Sequence, residues 1–188
     1  MTVVETILWK SIPWPGHESA RLLSLDDGWQ LEGSAAFLHE SDPCRLDYAI
    51  TCDRDWNTRR ATVNGWIGDR AIDVTIEAAN GIWTMNGHEQ NEVARCIDAD
   101  LNFSPSTNLL PIRRLDLAVG QSADVRTAWL RFPSFALELL EQRYTRLAED
   151  RVRYESFTTD FSAELQVSPN GFVLDYENIW TVESAGER

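Results

Sequence analysis

Ile72-Asp73-Val74-Thr75-Ile76-Glu77 places an apolar residue at every second position, and a chain of period two sends alternate side chains to opposite faces of a strand. The stretch reads as a strand with one face in a core and the other in water. Leu46, Tyr48, Ile50 and Cys52 repeat the pattern, as do the odd positions of Phe161-Ser162-Ala163-Glu164-Leu165-Gln166-Val167. Between such runs stand Asp27-Gly28, Asn80-Gly81, Asn86-Gly87 and Asn170-Gly171, dipeptides that tolerate the positive φ angles of tight hairpins. Asn64-Gly65 is either a fifth turn or a bulge inside a longer strand. So many strands joined by short turns imply a large antiparallel sheet. It should curl, because a flat open sheet leaves long edges able to recruit other chains. The expected fold class is mainly β (β-rich α+β), shaped as a roll or open barrel.

Two segments are less simple. Ser134 to Leu147 has Leu140, Tyr144 and Leu147 at helical spacing, yet Phe135, Leu137 and Leu139 alternate; the strand reading is preferred, with a break at Pro133. Ser104 to Leu117 is the best helix candidate. Capping side chains in Ser104-Pro105-Ser106-Thr107-Asn108 precede Leu109-Leu110-Pro111-Ile112-Arg113-Arg114-Leu115, which can form a short helix despite Pro111. No linker, repeat or low-complexity run divides the chain. Residues 1–188 are expected to be one domain, with 184–188 a loose tail.

At 188 residues, a domain buries about 70% of the surface its unfolded chain exposes. Eight Trp, seven Phe and four Tyr suit a sheet face or an apolar cavity; most should simply fill the core. A net charge of −13 repels nucleic acid and anionic lipid head groups. No stretch is apolar enough to span a bilayer as a helix, and the amino terminus does not resemble an export signal. Cys44, Cys52 and Cys96 are odd in number and form no Cys-x-x-Cys pair. Buried thiols in a reducing, cytoplasmic setting are expected.

Catalytic and metal signatures are weak. His88-Glu89-Gln90-Asn91-Glu92 lacks the second His of a helical zinc pair. Asp53-Arg54-Asp55-Trp56-Asn57 starts like a calcium loop but has Thr58 and Asn64 where Gly and Glu are needed. No metal or cofactor is expected. Asp98 and Asp100 stand two apart in Ile97-Asp98-Ala99-Asp100-Leu101 and share one face of a strand. They can be solvated, paired with Arg113 or Arg114, bound to a ligand, or serve as an acid and base pair. Adjacent on a strand or helix, Arg113 and Arg114 diverge, so only one can face a given pocket.

Cys96-Ile97-Asp98-Ala99-Asp100, followed by Ser104-Pro105-Ser106-Thr107-Asn108-Leu109-Leu110-Pro111-Ile112-Arg113-Arg114-Leu115, resembles the central motif of the bacterial putative glycolipid-binding family. The resemblance extends upstream through Asp53-Arg54-Asp55-Trp56 and Gly81-Ile82-Trp83. Downstream it takes in Trp129-Leu130-Arg131-Phe132-Pro133, Gln142-Arg143-Tyr144, Tyr154-Glu155-Ser156, Phe161 to Leu165, Asp175-Tyr176 and Trp180. The chain departs from the pattern at Arg95, where Gly precedes the Cys, and at Leu109, where Thr is usual. The resemblance implies a long antiparallel sheet wrapped around one short helix, similar to carriers of lipoproteins or lipid-linked sugars.

The leading expectation is non-enzymatic binding or carriage of an amphipathic ligand, a glycolipid, inside the curled sheet. Trp56, Trp129 and Trp180 would line the mouth of an apolar cavity, and Asp98, Asp100, Asn108, Arg113, Arg114 and Tyr154 would complete the ligand site. No residue is assigned a catalytic role. The alternatives are an enzyme acting on a sugar or sugar-lipid through Asp98 and Asp100 with Arg113 or Arg114, and a protein-interaction scaffold whose acidic surface and exposed edge strands bind another protein, which an apolar patch outside the sheet and no interior cavity would favour.

Overall fold

The structure, a computed structural model, describes residues 1–187. The first eight strands form a meander: β1 (Thr2–Ser11), β2 (Gly16–Leu25), β3 (Gly28–His39), β4 (Asp42–Asp53), β5 (Thr58–Ile67), β6 (Arg70–Ala79), β7 (Ile82–Met85) and β8 (His88–Glu89). A 3-10 turn at Asn91–Val93 leads to β9 (Asp98–Leu101), a second 3-10 turn (Pro105–Asn108) and the helix α1 (Leu109–Leu115). A second meander follows: β10 (Ser122–Arg131), β11 (Ala136–Ala148), β12 (Arg151–Ser156), β13 (Phe161–Val167), β14 (Val173–Tyr176) and β15 (Trp180–Glu187).

The meanders join where β15 pairs with β1, giving one sheet of fifteen strands among the described residues, with β8 and β9 at its ends. Neighbours are antiparallel except β9 and β10, which run parallel, so the sheet is mixed at that end. Residues 184–187, expected to be a loose tail, instead continue β15, with Ser184 opposite Leu8 and Gly186 opposite Thr6; Arg188 lies outside the described residues. A terminal strand is ordered when a neighbour satisfies its backbone groups, and β1 does so here.

The alternation read from sequence is the burial pattern observed. Cys44, Leu46, Tyr48, Ile50 and Cys52 all face inward, as do Ile72, Val74 and Ile76. Asn80-Gly81 and Asn86-Gly87 take positive φ at both positions, as a tight hairpin requires. Asn64-Gly65 does not turn. Gly65 stands inside β5 opposite Leu46 in unbroken register, where a Cβ would lie 1.9 Å from the Arg45 carbonyl oxygen. Ala136–Ala148 is a strand, as preferred.

The sheet is not closed, yet its β9 end is not bare. Thr58 N donates to Ile97 O at 3.1 Å, Thr58 Oγ1 accepts from Ala99 N at 3.0 Å, and Thr107 Oγ1 accepts from Leu101 N at 3.3 Å. These bonds occupy groups that an exposed strand would offer to another chain. The helix packs inside the curl. Pro111 falls in its first turn, where a missing N–H removes no intrahelical bond. Leu109 and Leu110 join Trp9, Leu31, Leu46, Ile50, Val63 and Trp83 in one core cluster, each 0 or 1% exposed. Side chains therefore fill the space beside the helix.

Candidate functional site

Asp98 and Asp100 lie on β9 beside Thr127 and Trp129 of β10, and their surroundings separate them. Asp98 is fully buried and clamped by Arg114, whose Nη2 donates to Oδ2 at 2.6 Å and whose Nε donates to Oδ1 at 3.0 Å. Burial pushes this carboxyl up from its ordinary range, and the guanidinium opposes the shift. Asp100 faces a cavity. Its Oδ2 accepts from Gln142 Nε2 at 2.8 Å, and burial pushes its pKa up to about 6, a shift that Gln142 opposes and the Asp98 charge reinforces. With Asp98 held in a bidentate bridge, the two carboxylates do not converge on one substrate, as an acid and base pair must.

The cavity holds about 240 Å³. One wall is β9 with the 3-10 turn: Asp100, Asn102, Ser104, Pro105 and Asn108. Asn102 continues the period-two series of Asp98 and Asp100. Aromatic rings make up much of the rest: Trp129, the direct partner of Asp100 on the neighbouring strand, with Tyr154, Phe161, Tyr176 and Trp180, joined by Trp14 from the Pro13-Trp14-Pro15 turn. Polar groups behind these walls fix them. Gln142 Nε2 also contacts the Tyr154 hydroxyl at 3.1 Å, and the Tyr144 hydroxyl donates to Asn108 Oδ1 at 2.9 Å.

Of the residues expected to touch a ligand, Asp100, Asn108, Trp129, Tyr154 and Trp180 line this cavity. Asp98 and Arg114 stand behind it as a pair. Trp56, held at φ 67, lies elsewhere: it stacks on Trp29 with centroids 4.5 Å apart, and Arg113 covers it at 5.2 Å. Arg113 opens on a different depression, shared with Arg146. Neither arginine of the tandem lines the cavity beside Asp100. The loop that carries Trp56 is held by Asp53, whose Oδ1 accepts from Asp55 N at 3.0 Å and Asn57 N at 2.9 Å. Its calcium-like sequence thus serves a turn.

Sequence reasoning missed Glu18. It is fully buried on β2, 2.6 Å from the Tyr48 hydroxyl, and it accepts from Ser104 Oγ. Ser104 in turn accepts from Ser106 N at 3.1 Å, capping the 3-10 turn that walls the cavity. Burial pushes Glu18 up to about 8 despite these bonds, so at neutral pH it is mostly protonated. Gly33 makes the contact possible. A Cβ there would lie 2.5 Å from the Tyr48 hydroxyl, so the bare backbone lets the ring lean across β3 to β2. A single Glu within the alternation of His17-Glu18-Ser19 gives no such signal.

The described residues thus form an open, curled sheet around one short helix, with a polar and aromatic cavity beside Asp100. The chain belongs to the family described as "Putative glycolipid-binding", whose model matches residues 6–182. It is similar to a DUF1089 family protein from Pseudomonas aeruginosa, with 31% identity, a TM-score of 0.78, and coverage of 87% of this chain and 91% of that one. It also resembles a β-barrel-like protein of DUF1849 from Brucella abortus, with a TM-score of 0.63 at 7% identity over 100% and 98% of the two chains; this likeness concerns the fold alone. No curated protein matches the chain. Among the described residues no helix is long and apolar enough to cross a membrane.

Proposed function

We propose that the chain, one folding unit, binds an amphipathic ligand non-enzymatically, seating a sugar head group in the cavity beside Asp100. The observation that carries this reading is the mixed polar and aromatic lining of the cavity. It offers the carboxylate, amide and hydroxyl groups of Asp100, Asn102, Asn108 and Ser104 together with the rings of Trp129, Trp180 and Tyr176. A sugar ring has the same two characters, hydroxyls at its edge and C–H groups on its faces, and a few placed polar groups against aromatic walls orient such a ligand. The family description agrees with this class of ligand.

The filled interior sets a limit on the tail. A cavity of about 240 Å³ suits a head group better than a whole lipid, so the chain lies along the more exposed apolar lining at Trp14 and Ile179. Each methylene buried there contributes about 0.8 kcal/mol. The buried, unpaired Cys44, Cys52 and Cys96 are compatible with a reducing compartment such as the cytoplasm.

Titration calorimetry with alkyl glycosides of increasing chain length, supported by native mass spectrometry, tests the proposal. Binding at one site, strengthened by chain length and weakened at least tenfold by Trp180→Ala, is expected. Absence of binding for every sugar-headed amphiphile overturns it.

A further inference from the structure

Among the described residues that line the cavity, Asp100 is the only ionisable group that carries charge near neutral pH. Its companions are the buried Tyr154 and the half-buried Tyr176, phenols that desolvation pushes well above the ordinary range, so both stay neutral. Among the described residues no lysine or arginine lines the cavity. Arg114 is committed to Asp98 and Arg113 to the Trp56 face. Arg131, which lies over Trp129 at 5.4 Å, is bridged to Glu138 at 3.3 Å. Gln142 engages Asp100 Oδ2, and Oδ1 makes no hydrogen bond to any described residue.

A carboxylate with a free oxygen, facing aromatic rings and no basic group, is matched by one kind of head group. Ring faces attract cations through their quadrupole, and a desolvated carboxylate gains most from a charged donor. A phosphate or uronate would instead meet Asp100 with no guanidinium or ammonium between them. We propose that the cavity selects a sugar carrying a protonated amine, held by Asp100 Oδ1 with the neighbouring rings around it, and rejects anionic heads. This deepens the proposed function and rests on it.

The experiment compares alkyl glucosaminide, glucoside and glucuronide of one chain length by calorimetry at about pH 7, where the amine is mainly protonated, with an alkyltrimethylammonium of the same chain as a sugar-free cation. The glucosaminide should bind about tenfold or more tighter than the glucoside, with the glucuronide weakest. Asp100→Asn, which can still accept from Gln142, should erase the preference, so that this variant binds glucosaminide and glucoside within about threefold of each other. The unaltered chain gives a second readout: the preference should fade as pH falls through about 6. The other groups around Asp100 are Asp98, paired with Arg114, and the neutral Tyr144, Tyr154 and Tyr176. Equal affinity for glucosaminide and glucoside, or a preference that survives Asp100→Asn, overturns the selectivity and leaves the proposed function standing. Equally tight binding of the sugar-free cation overturns the amino-sugar assignment. Failure of every glycoside removes both.

Discussion

Arg114 and Asp98 form a bidentate ion pair between α1 and β9, with the Asp98 side chain 0% exposed and that of Arg114 16% exposed. The pair ties the helix to the strand that carries Asp100, so it acts on the cavity by position. Removing one charge leaves the other buried and unpartnered. Asp98→Leu should destabilise the fold by about 2–4 kcal/mol, somewhat below the usual cost of breaking a fully buried pair because Arg114 retains some water contact. Adding Arg114→Met should recover most of the loss. Urea unfolding of the two single variants and the double variant measures this, and additive losses in the double variant would contradict a coupled pair.

The parts of the fold legible in the sequence were those governed by local rules. Period two placed Ile72, Val74 and Ile76 on the inner face, Asn-Gly pairs marked hairpins, and Ser104 to Leu115 carried caps and a short apolar helix. Long-range geometry was not legible. Nothing local told that β9 would pair parallel with β10, or that β1 would hold residues 184–187 as a strand. The same limit applies to the site. Asp100 and Asn108 could be singled out by residue type and spacing, whereas Trp56 and Trp129 are equivalent as sequence and differ only in which neighbour the curl brings to them. Trp29 and Arg113 cover the first, and the cavity borders the second. Glu18 shows the limit most clearly, since its partners Tyr48 and Ser104 are 30 and 86 residues away.

Gly33 controls the approach of Tyr48 to Glu18. A Cβ added at this position would stand 2.5 Å from the Tyr48 hydroxyl and 2.6 Å from the Ser19 carbonyl oxygen, so Gly33→Ala must push the ring or the strand aside. Overpacking of this kind costs about 1–3 kcal/mol. Because Tyr48 also lies 2.7 Å from Ser106 Oγ, the displacement should reach the 3-10 turn and weaken glycoside binding as well. Thermal unfolding and calorimetry on the variant check both effects; unchanged stability would mean that the ring does not depend on the bare backbone.

Arg95 sits at φ 66 just before Cys96, in the left-handed region that costs a side-chain-bearing residue about 1–2 kcal/mol. Its backbone N–H donates to Gly81 O at 3.0 Å, which fixes the conformation independently of the side chain. Arg95→Gly should therefore raise stability by about 0.5–1 kcal/mol, the relief being partly offset by glycine's greater freedom when unfolded. A rise of about 1–3 °C in Tm is expected for a chain of this size, and a fall would show that the Arg95 side chain makes a larger contribution than its backbone strain removes.

Glu18 makes stability depend on pH in a predictable direction. Its carboxyl moves from an ordinary 4.5 to about 8 in the folded chain, so between those values the folded form keeps a proton that the unfolded form has released. The unfolded state then binds fewer protons, and stability falls as pH rises through this window, levelling above the folded value. The full span corresponds to on the order of 3–5 kcal/mol. Glu18→Gln removes the titration and can keep a carbonyl oxygen facing Tyr48 and Ser104. Asp98 and Asp100 also have raised pKa values, so the informative quantity is the difference between variant and native chains. That difference should shift in favour of the variant steadily from about pH 5 to about pH 8 and then stay constant. Urea unfolding across the range measures it, and parallel curves for the two proteins would show that Glu18 is not protonated in the folded state.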